Sequence, residues 1–186
     1  MDVEFVPFQK IPRWSSQDVV ITEKIDGTNA QVYINEECTD FRCGSRTRWI
    51  TPDEDNYGFA RWCNDNRDAI LSLGKGQHFG EWYGLGIQRN YWLKERRFVL
   101  FNTLRWAAPE QQERLAKTPI TTVPVLYRGP FNDKAIEDCM EDLKVNGSRA
   151  APGFMAPEGV VIYIPGSRSL FKYTFNNAHK GEICES

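Results

Sequence analysis

Seven consecutive residues, Glu23-Lys24-Ile25-Asp26-Gly27-Thr28-Asn29, set a lysine between two carboxylates at the predicted edge of a strand. A free lysine is protonated near neutral pH and cannot attack. It becomes a nucleophile when neighbouring cations or loss of solvent lower its pKa. Alone, the pattern fits a surface lysine in a hairpin equally well. Segments farther along make it more specific. Ser45-Arg46-Thr47-Arg48 follows about twenty residues later, and Phe79-Gly80-Glu81-Trp82-Tyr83-Gly84 places an acid in a strand flanked by glycines. Arg97-Phe98-Val99-Leu100-Phe101-Asn102 carries an aromatic at a strand end. Pro157-Glu158-Gly159-Val160-Val161-Ile162-Tyr163 sets an acid at a strand start, and Ser169-Leu170-Phe171-Lys172-Tyr173-Thr174 sets a lysine within a strand.

The elements that must position these groups are short. Val19-Val20-Ile21 and the alternating stretch Ala30 to Ile34 read as two strands joined through Asp26-Gly27, with glycine supplying the turn. Asn56 to Leu73 reads as one helix, approached by Pro52 and the acidic run Asp53-Glu54-Asp55 and stopped by Gly74-Lys75-Gly76. His78 to Tyr83 and Phe98 to Leu104 read as strands, and Pro109 to Lys117 as a short helix. Asn132 to Val145 reads as a helix capped by Asn132, with Ile136, Met140 and Leu143 on one face. Gly159 to Ile164 and Ser169 to Phe175 form a predicted hairpin with its turn at Pro165-Gly166. The sum is an α+β domain rich in antiparallel sheet, without the strand-helix alternation of a doubly wound fold.

Composition narrows the class. The chain has 186 residues, enough for one domain with a substantial core, and its 23 basic and 25 acidic residues nearly cancel. That balance excludes a histone-like chain, an acidic tail and a disordered polyelectrolyte. No apolar run approaches the roughly 18 residues of a membrane span, and no signal-peptide core is present, so the expected setting is the cytoplasm. The five cysteines are an odd number without a Cys-x-x-Cys pair, and the two histidines are distant in sequence, so reduced thiols are expected rather than a zinc site or disulfides. Gly84-Leu85-Gly86 and Gly74-Lys75-Gly76 are too short for a P-loop. A formal charge of −2 gives the whole surface no attraction for nucleic acid. Two local clusters could attract it, Arg42, Arg46 and Arg48, and Arg89, Lys94, Arg96 and Arg97.

In this order, the six segments resemble the covalent nucleotidyltransferases: RNA ligases, DNA ligases and mRNA capping enzymes. These share a Lys-x-Asp-Gly segment, an arginine segment, a strand glutamate, an aromatic strand, a Glu-Gly strand and a lysine strand. All six occur here between residues 23 and 174. Glu-Lys-Ile-x-Gly-Thr-Asn is most similar to the second RNA ligase family, typified by the phage enzyme that seals nicks in double-stranded RNA. The resemblance implies an antiparallel-sheet-rich nucleotidyltransferase (adenylyltransferase) domain of the ATP-grasp-like ligase and capping type, spanning 1–186, without a separate OB fold or C-terminal domain.

It also implies roles. Lys24 would attack the α-phosphate of ATP and hold AMP as a phosphoramidate. Glu23 would contact adenine through its main chain. Arg46 would bind phosphate or ribose of the accepting end, Glu81 the ribose, and Phe101 the adenine face. Glu158 would bind a catalytic Mg²⁺ or Mn²⁺, Lys172 the α-phosphate, and Asn29 would orient the ends for sealing. Asp26 and Gly27 complete the nucleotide-binding loop and match the ligase and capping pattern better than the RNA ligase prototype. Two positions depart from the family: Thr174 stands where a second lysine is usual, and Asn102 where an aspartate is usual. Lys180 and Arg168 are candidates to supply the missing cation, and His179 a candidate phosphate contact. Only twelve residues follow Thr174, so an accessory protein is a candidate to replace the usual C-terminal domain.

The activity implied is ATP-dependent joining of RNA 5′-phosphate and 3′-hydroxyl ends, with a nicked duplex as the expected substrate and DNA as a lesser one. A compact form of this kind points to a phage or other virus, hence to host cytoplasm. A GTP-using capping enzyme and a DNA ligase share the motif order. A catalytically silent nucleic-acid binder of the same fold is the rival from another class.

Overall fold

The computed structural model describes residues 17–177. Its strands are β1 (Asp18–Lys24), β2 (Thr28–Ile34), β3 (Phe41–Gly44), β4 (Trp49–Ile50), β5 (Gly76–Gly84), β6 (Arg96–Leu100), β7 (Ile120–Thr122), β8 (Val125–Pro130), β9 (Gly159–Ile164) and β10 (Ser169–Thr174). Its helices are α1 (Phe59–Asp65), α2 (Arg67–Leu71), α3 (Pro109–Leu115) and α4 (Asp133–Asn146). The strands form two sheets, one ordered β10-β9-β1-β8 and the other β4-β3-β2-β5-β6-β7. Every pairing is antiparallel except β6 with β7, so the expected α+β, antiparallel-rich class holds.

Each sheet is half-covered by helix, and the period of two along its strands decides which side chains are covered. In the four-stranded sheet, Val19 and Ile21 of β1 and Val160 and Ile162 of β9 pack on Ala135, Cys139, Met140 and Leu143 of α4. In the six-stranded sheet, Ala30, Val32 and Ile34 of β2, Trp82 of β5 and Phe98 and Leu100 of β6 pack on Phe59, Cys63 and Ile70 of α1 and α2. A third cluster, including Ile25, Tyr83, Tyr91, Val99 and Phe154, joins the two sheets.

Several expectations are corrected. The strands flanking Asp26-Gly27 do not pair with each other. β1 pairs with β8 and β9, β2 with β3 and β5, so the segment crosses from one sheet to the other. The expected helix 56–73 is two, broken at Asn66, whose backbone leaves the helical region (φ −113, ψ 33) while its amide Nδ2 donates to the Trp62 carbonyl. The acidic run does serve the first of them: the Asp55 carboxylate accepts the N–H groups of Ala60 and Arg61. The aromatic strand ends at Leu100, not Leu104, because Asn102 Oδ1 accepts the Arg105 N–H and turns the chain. The short strands β3, β4, β7 and β8 are additions. Asn132 caps α4 as expected, its Oδ1 taking the Ala135 N–H at 2.8 Å. Cys38, Cys43, Cys63 and Cys139 are free, and Cys184 lies outside the described residues. No helix among the described residues is long and apolar enough to cross a membrane.

Candidate active site

β1 runs out at Lys24 directly opposite Gly159, the first residue of β9. Lys24 Nζ meets Glu158 Oε2 at 2.7 Å, and both side chains are mostly buried. Gly159 also faces Thr174 of the edge strand β10, and a Cβ there would fall 2.7 Å from the Thr174 Cα and collide with the Tyr173 carbonyl. Its φ of +146 disfavours any side chain as well. Glycine after Glu158 is therefore what lets β10 close against the start of β9, beside Lys24. By strand alternation Lys24, Val161, Lys172 and Thr174 share one face of this sheet. Lys172 is exposed on that face, two strands from Lys24, and Thr174 is buried beside Gly159.

The crossing segment is pinned at each residue. Ile25 is in the joining core. Asp26 pairs with Arg89 Nε at 2.8 Å and donates its N–H to the Tyr91 hydroxyl at 2.8 Å. Arg89 also donates to the Ala156 carbonyl at 3.1 Å, tying this segment to the one that carries Glu158. Gly27 donates its N–H to Glu81 Oε1 at 3.1 Å, and Asn29 Nδ2 donates to Glu81 Oε2 at 3.2 Å. A Cβ on Gly27 would lie 2.8 Å from Tyr83 Cβ and strike the Trp82 carbonyl, so this glycine is needed for close approach to β5 rather than for a turn. Burial pushes the Glu81 carboxyl up to about 7, with Glu158 and Asp26 adding to the rise and Lys24 and the Gly27 N–H opposing it.

Glu23 points the other way. It is 1% exposed, and its carboxylate takes the Ser148 hydroxyl and the N–H groups of Arg149 and Ala150. Burial raises its pKa, and those hydrogen bonds pull part of the way back. Its own N–H donates to the Pro124 carbonyl at 2.9 Å. Lys24, Asp26, Gly27, Asn29, Glu81 and Glu158 thus form one connected group. Phe101, next to Phe79 across the sheet, is half-exposed on the face that carries Glu81, while Arg46 stands exposed in the β3–β4 hairpin.

Of the expected basic cluster at 89–97, Arg89 pairs with Asp26 and Arg97 with Glu95, and Arg96 donates to the carbonyls of Leu85 and Tyr57. Lys94 and Arg96 remain exposed and form no ion pair among the described residues. Of the other cluster, Arg48 pairs with Glu54. Arg168 sits in the far turn of the β9–β10 hairpin, about 17 Å along the strands from the level of Lys24, so it does not replace the missing lysine. Lys180 and His179 lie outside the described residues. Arg89 and Tyr91 are the site residues that sequence reading missed. Asn90, Tyr91 and Trp92 all have positive φ, a left-handed run without a glycine to announce it.

Chemically, the nearest charge to Lys24 is a carboxylate, not a cation. Three carboxylates (Asp26, Glu81, Glu158) face two cations (Lys24, Arg89), so a triphosphate would need further positive charge to enter. No group of three or more His, Cys, Asp or Glu side chains gathers as a metal cage among the described residues. A single carboxylate such as Glu158 suits a hard divalent cation that draws its other ligands from phosphate and water.

A family model described as RNA ligase matches residues 17–174. None of the curated proteins compared with the chain matches it. Solved structures of an RNA ligase from Naegleria gruberi share the fold. A lysine-to-alanine variant with ATP and manganese is 19% identical at TM-score 0.58, covering 89% of this chain and 51% of that one. A glutamate-to-alanine variant with AMP and manganese is 19% identical at TM-score 0.61, covering 89% and 52%. The same ligase with pyrophosphate is 19% identical at TM-score 0.60, covering 90% and 52%. The chain spans about half the length of these ligase chains. With the family model matching most of its length, the chain belongs to the RNA ligase family.

Proposed function

We propose that this member of the RNA ligase family uses ATP to join a 5′-phosphate to a 3′-hydroxyl on RNA, through AMP held on Lys24. The observation that carries the reading is the connected group from Glu158 through Lys24 to Gly27, Glu81 and Asn29. The reading is supported by an amine, a carboxylate hydrogen-bonded to it and a second, buried carboxylate, Glu81, carried on the segments that flank it.

In the first step the Lys24 amine, relieved of a proton, forms a bond to the α-phosphorus and pyrophosphate leaves. In the second, an oxygen of the RNA 5′-phosphate takes AMP from the lysine, which regains its proton. In the third, the 3′-hydroxyl attacks the activated 5′-phosphate, loses its proton, and AMP leaves. Glu158 holds the lysine ammonium until nucleotide arrives. Glu81 accepts the ribose hydroxyls, with Gly27 and Asn29 fixing its orientation. Phe101 offers a face to adenine, Lys172 a charge to the α-phosphate, and Arg46 a contact for the accepting end. Glu158 would also hold Mg²⁺ or Mn²⁺ with phosphate oxygens, and that cation would neutralise charge on the triphosphate. The manganese and nucleotide on the Naegleria gruberi ligase support this choice of cofactors. The described elements act as one nucleotidyltransferase domain in the cytoplasm, with an accessory surface helping to hold RNA, and a nicked duplex is the first substrate form to test.

The protein and its Lys24→Ala variant are incubated with α-labelled ATP or GTP and Mg²⁺ and run on a denaturing gel. Label from ATP that vanishes in the variant, followed by sealing of a nicked RNA, is the expected result. Label from GTP alone would move the assignment to capping, and sealing of DNA but not RNA nicks to a DNA ligase. No label from either nucleotide would leave a silent binder.

A further inference from the structure

The exposed face of an antiparallel sheet is ordinarily polar. The face of the six-stranded sheet opposite α1 and α2 carries exposed aromatic rings among its polar side chains. Cross-strand register aligns Trp49, Gly44, Gln31 and Phe79 in one row over β4, β3, β2 and β5. Phe101 extends the row, its N–H donating to the Phe79 carbonyl. Trp49 is 49% exposed, Phe79 56% and Phe101 41%. The row beside it is Arg42, Tyr33 and Gln77, with Tyr33 41% exposed. The row on its other side holds Asn29 and Glu81.

We infer that this face binds unpaired bases of the RNA strand being joined, stacking them on Phe79 and Trp49. The inference rests on the RNA-joining reading above and deepens it by naming the form of RNA. Three features select bases over an apolar protein partner. First, Trp49 stands apart from the neighbouring Phe79 and Phe101, separated from them by Gly44 and by Gln31, whose amide is held by Gln77 and the Ser45 carbonyl. A protein-docking patch would need contiguous apolar surface. Isolated aromatic faces on an open sheet suit stacking of single bases. Second, Arg42 and Arg46, beside the row, form no ion pair among the described residues, so cations for a phosphate backbone flank the rings. Third, the row abuts Glu81 and ends at Phe101, so a strand lying on it leads into the groove of Lys24. Rings can stack only on bases that are unpaired or at a helix end. The surface therefore favours breaks in loops or single strands over a continuous nicked duplex.

The test uses the full chain and a fluorescein-labelled, 5′-phosphorylated RNA oligonucleotide, single-stranded or annealed as a nicked duplex. Phe79→Ala and Trp49→Ala should each weaken single-strand binding roughly 5- to 100-fold. Phe79→Trp should restore it, and duplex binding should change little. Arg42→Gln with Arg46→Gln should flatten the salt dependence, whereas the ring variants should not. Equal single-strand affinity of wild type and both alanine variants, or no binding by wild type, would overturn the surface. Wild-type lysyl-AMP formation reports separately on the joining reading. Ring-dependent binding without lysyl-AMP would support the surface and sink the ligase; lysyl-AMP and joining without ring dependence would do the reverse.

Discussion

The two sheets treat their buried acids in opposite ways. At the back of the four-stranded sheet, Glu23 is sealed in and receives three hydrogen bonds from the Ser148–Ala150 segment. In the six-stranded sheet, Glu81 is nearly as buried, at 7% exposure, but has only Gly27 and Asn29 as donors and looks into the groove of Lys24. Two adjacent motif residues, Glu23 and Lys24, differ likewise: alternation sends one to the brace and the other to the reactive face. A buried carboxylate with three donors ties together the segments that supply them, and removing it strands those donors. One with fewer donors keeps acceptor capacity free and costs stability when ionised.

That contrast can be broken by substitution. The largest effect is expected from Glu23→Ala, which strands the Ser148, Arg149 and Ala150 donors and should cost about 3–4 kcal/mol in urea unfolding. Gly27→Ala should cost about 2–3 kcal/mol, because its methyl meets Tyr83 and the Trp82 carbonyl, and should also abolish the lysyl-nucleotide band on a gel. Glu81→Gln should act with the opposite sign. A folded pKa raised to about 7 means the native state binds more protons than the unfolded chain between the ordinary carboxylate range and 7. Stability from this group is therefore present at low pH and lost as pH rises through that window. The glutamine variant should gain about 2 kcal/mol over wild type at pH 8 and little at pH 5, while losing nucleotide binding. Comparing the two proteins removes the opposite contribution of His78, whose pKa burial lowers in both. A variant no more stable at pH 8 would break the contrast. The smallest effect is expected from Arg89→Ala. It leaves Asp26 without its partner, at a cost of about 1 kcal/mol, and should slow lysyl-AMP formation about tenfold in single-turnover assays, with Arg89→Lys only partly restoring it.

Much of the site was legible. Lys24, Asp26, Gly27, Asn29, Glu81 and Glu158 were singled out from their segments, and folding brings them into one network. Each segment is weak alone; their order along the chain, and the resemblance that the order carries, singled these residues out. The helix capped by Asn132 and the hairpin 159–174 followed from local signals. Less legible were the partners. Arg89 grouped with Lys94, Arg96 and Arg97 as a local basic cluster, and nothing local distinguishes an arginine that reaches Asp26 from one that meets solvent. The short strands β3, β4 and β7 hold two to four residues each, too few for a period to emerge, and β8 ends in Gly129-Pro130, which reads as a turn.

Residue order along the chain thus determined which chemistry is available: a lysine among acids, glycines where backbones must approach, and an aromatic strand end. Tertiary structure alone decided which groups meet. It sent the chain across Asp26-Gly27 from one sheet to another instead of back along itself, and so carried Glu81 to Gly27 and Glu158 to Lys24. It also placed Trp49, Phe79 and Phe101 in a single row. The reason is physical. Cross-strand register is set by how whole faces bury against their helices, and a pairing between residues more than a hundred positions apart leaves no mark on the local pattern of either.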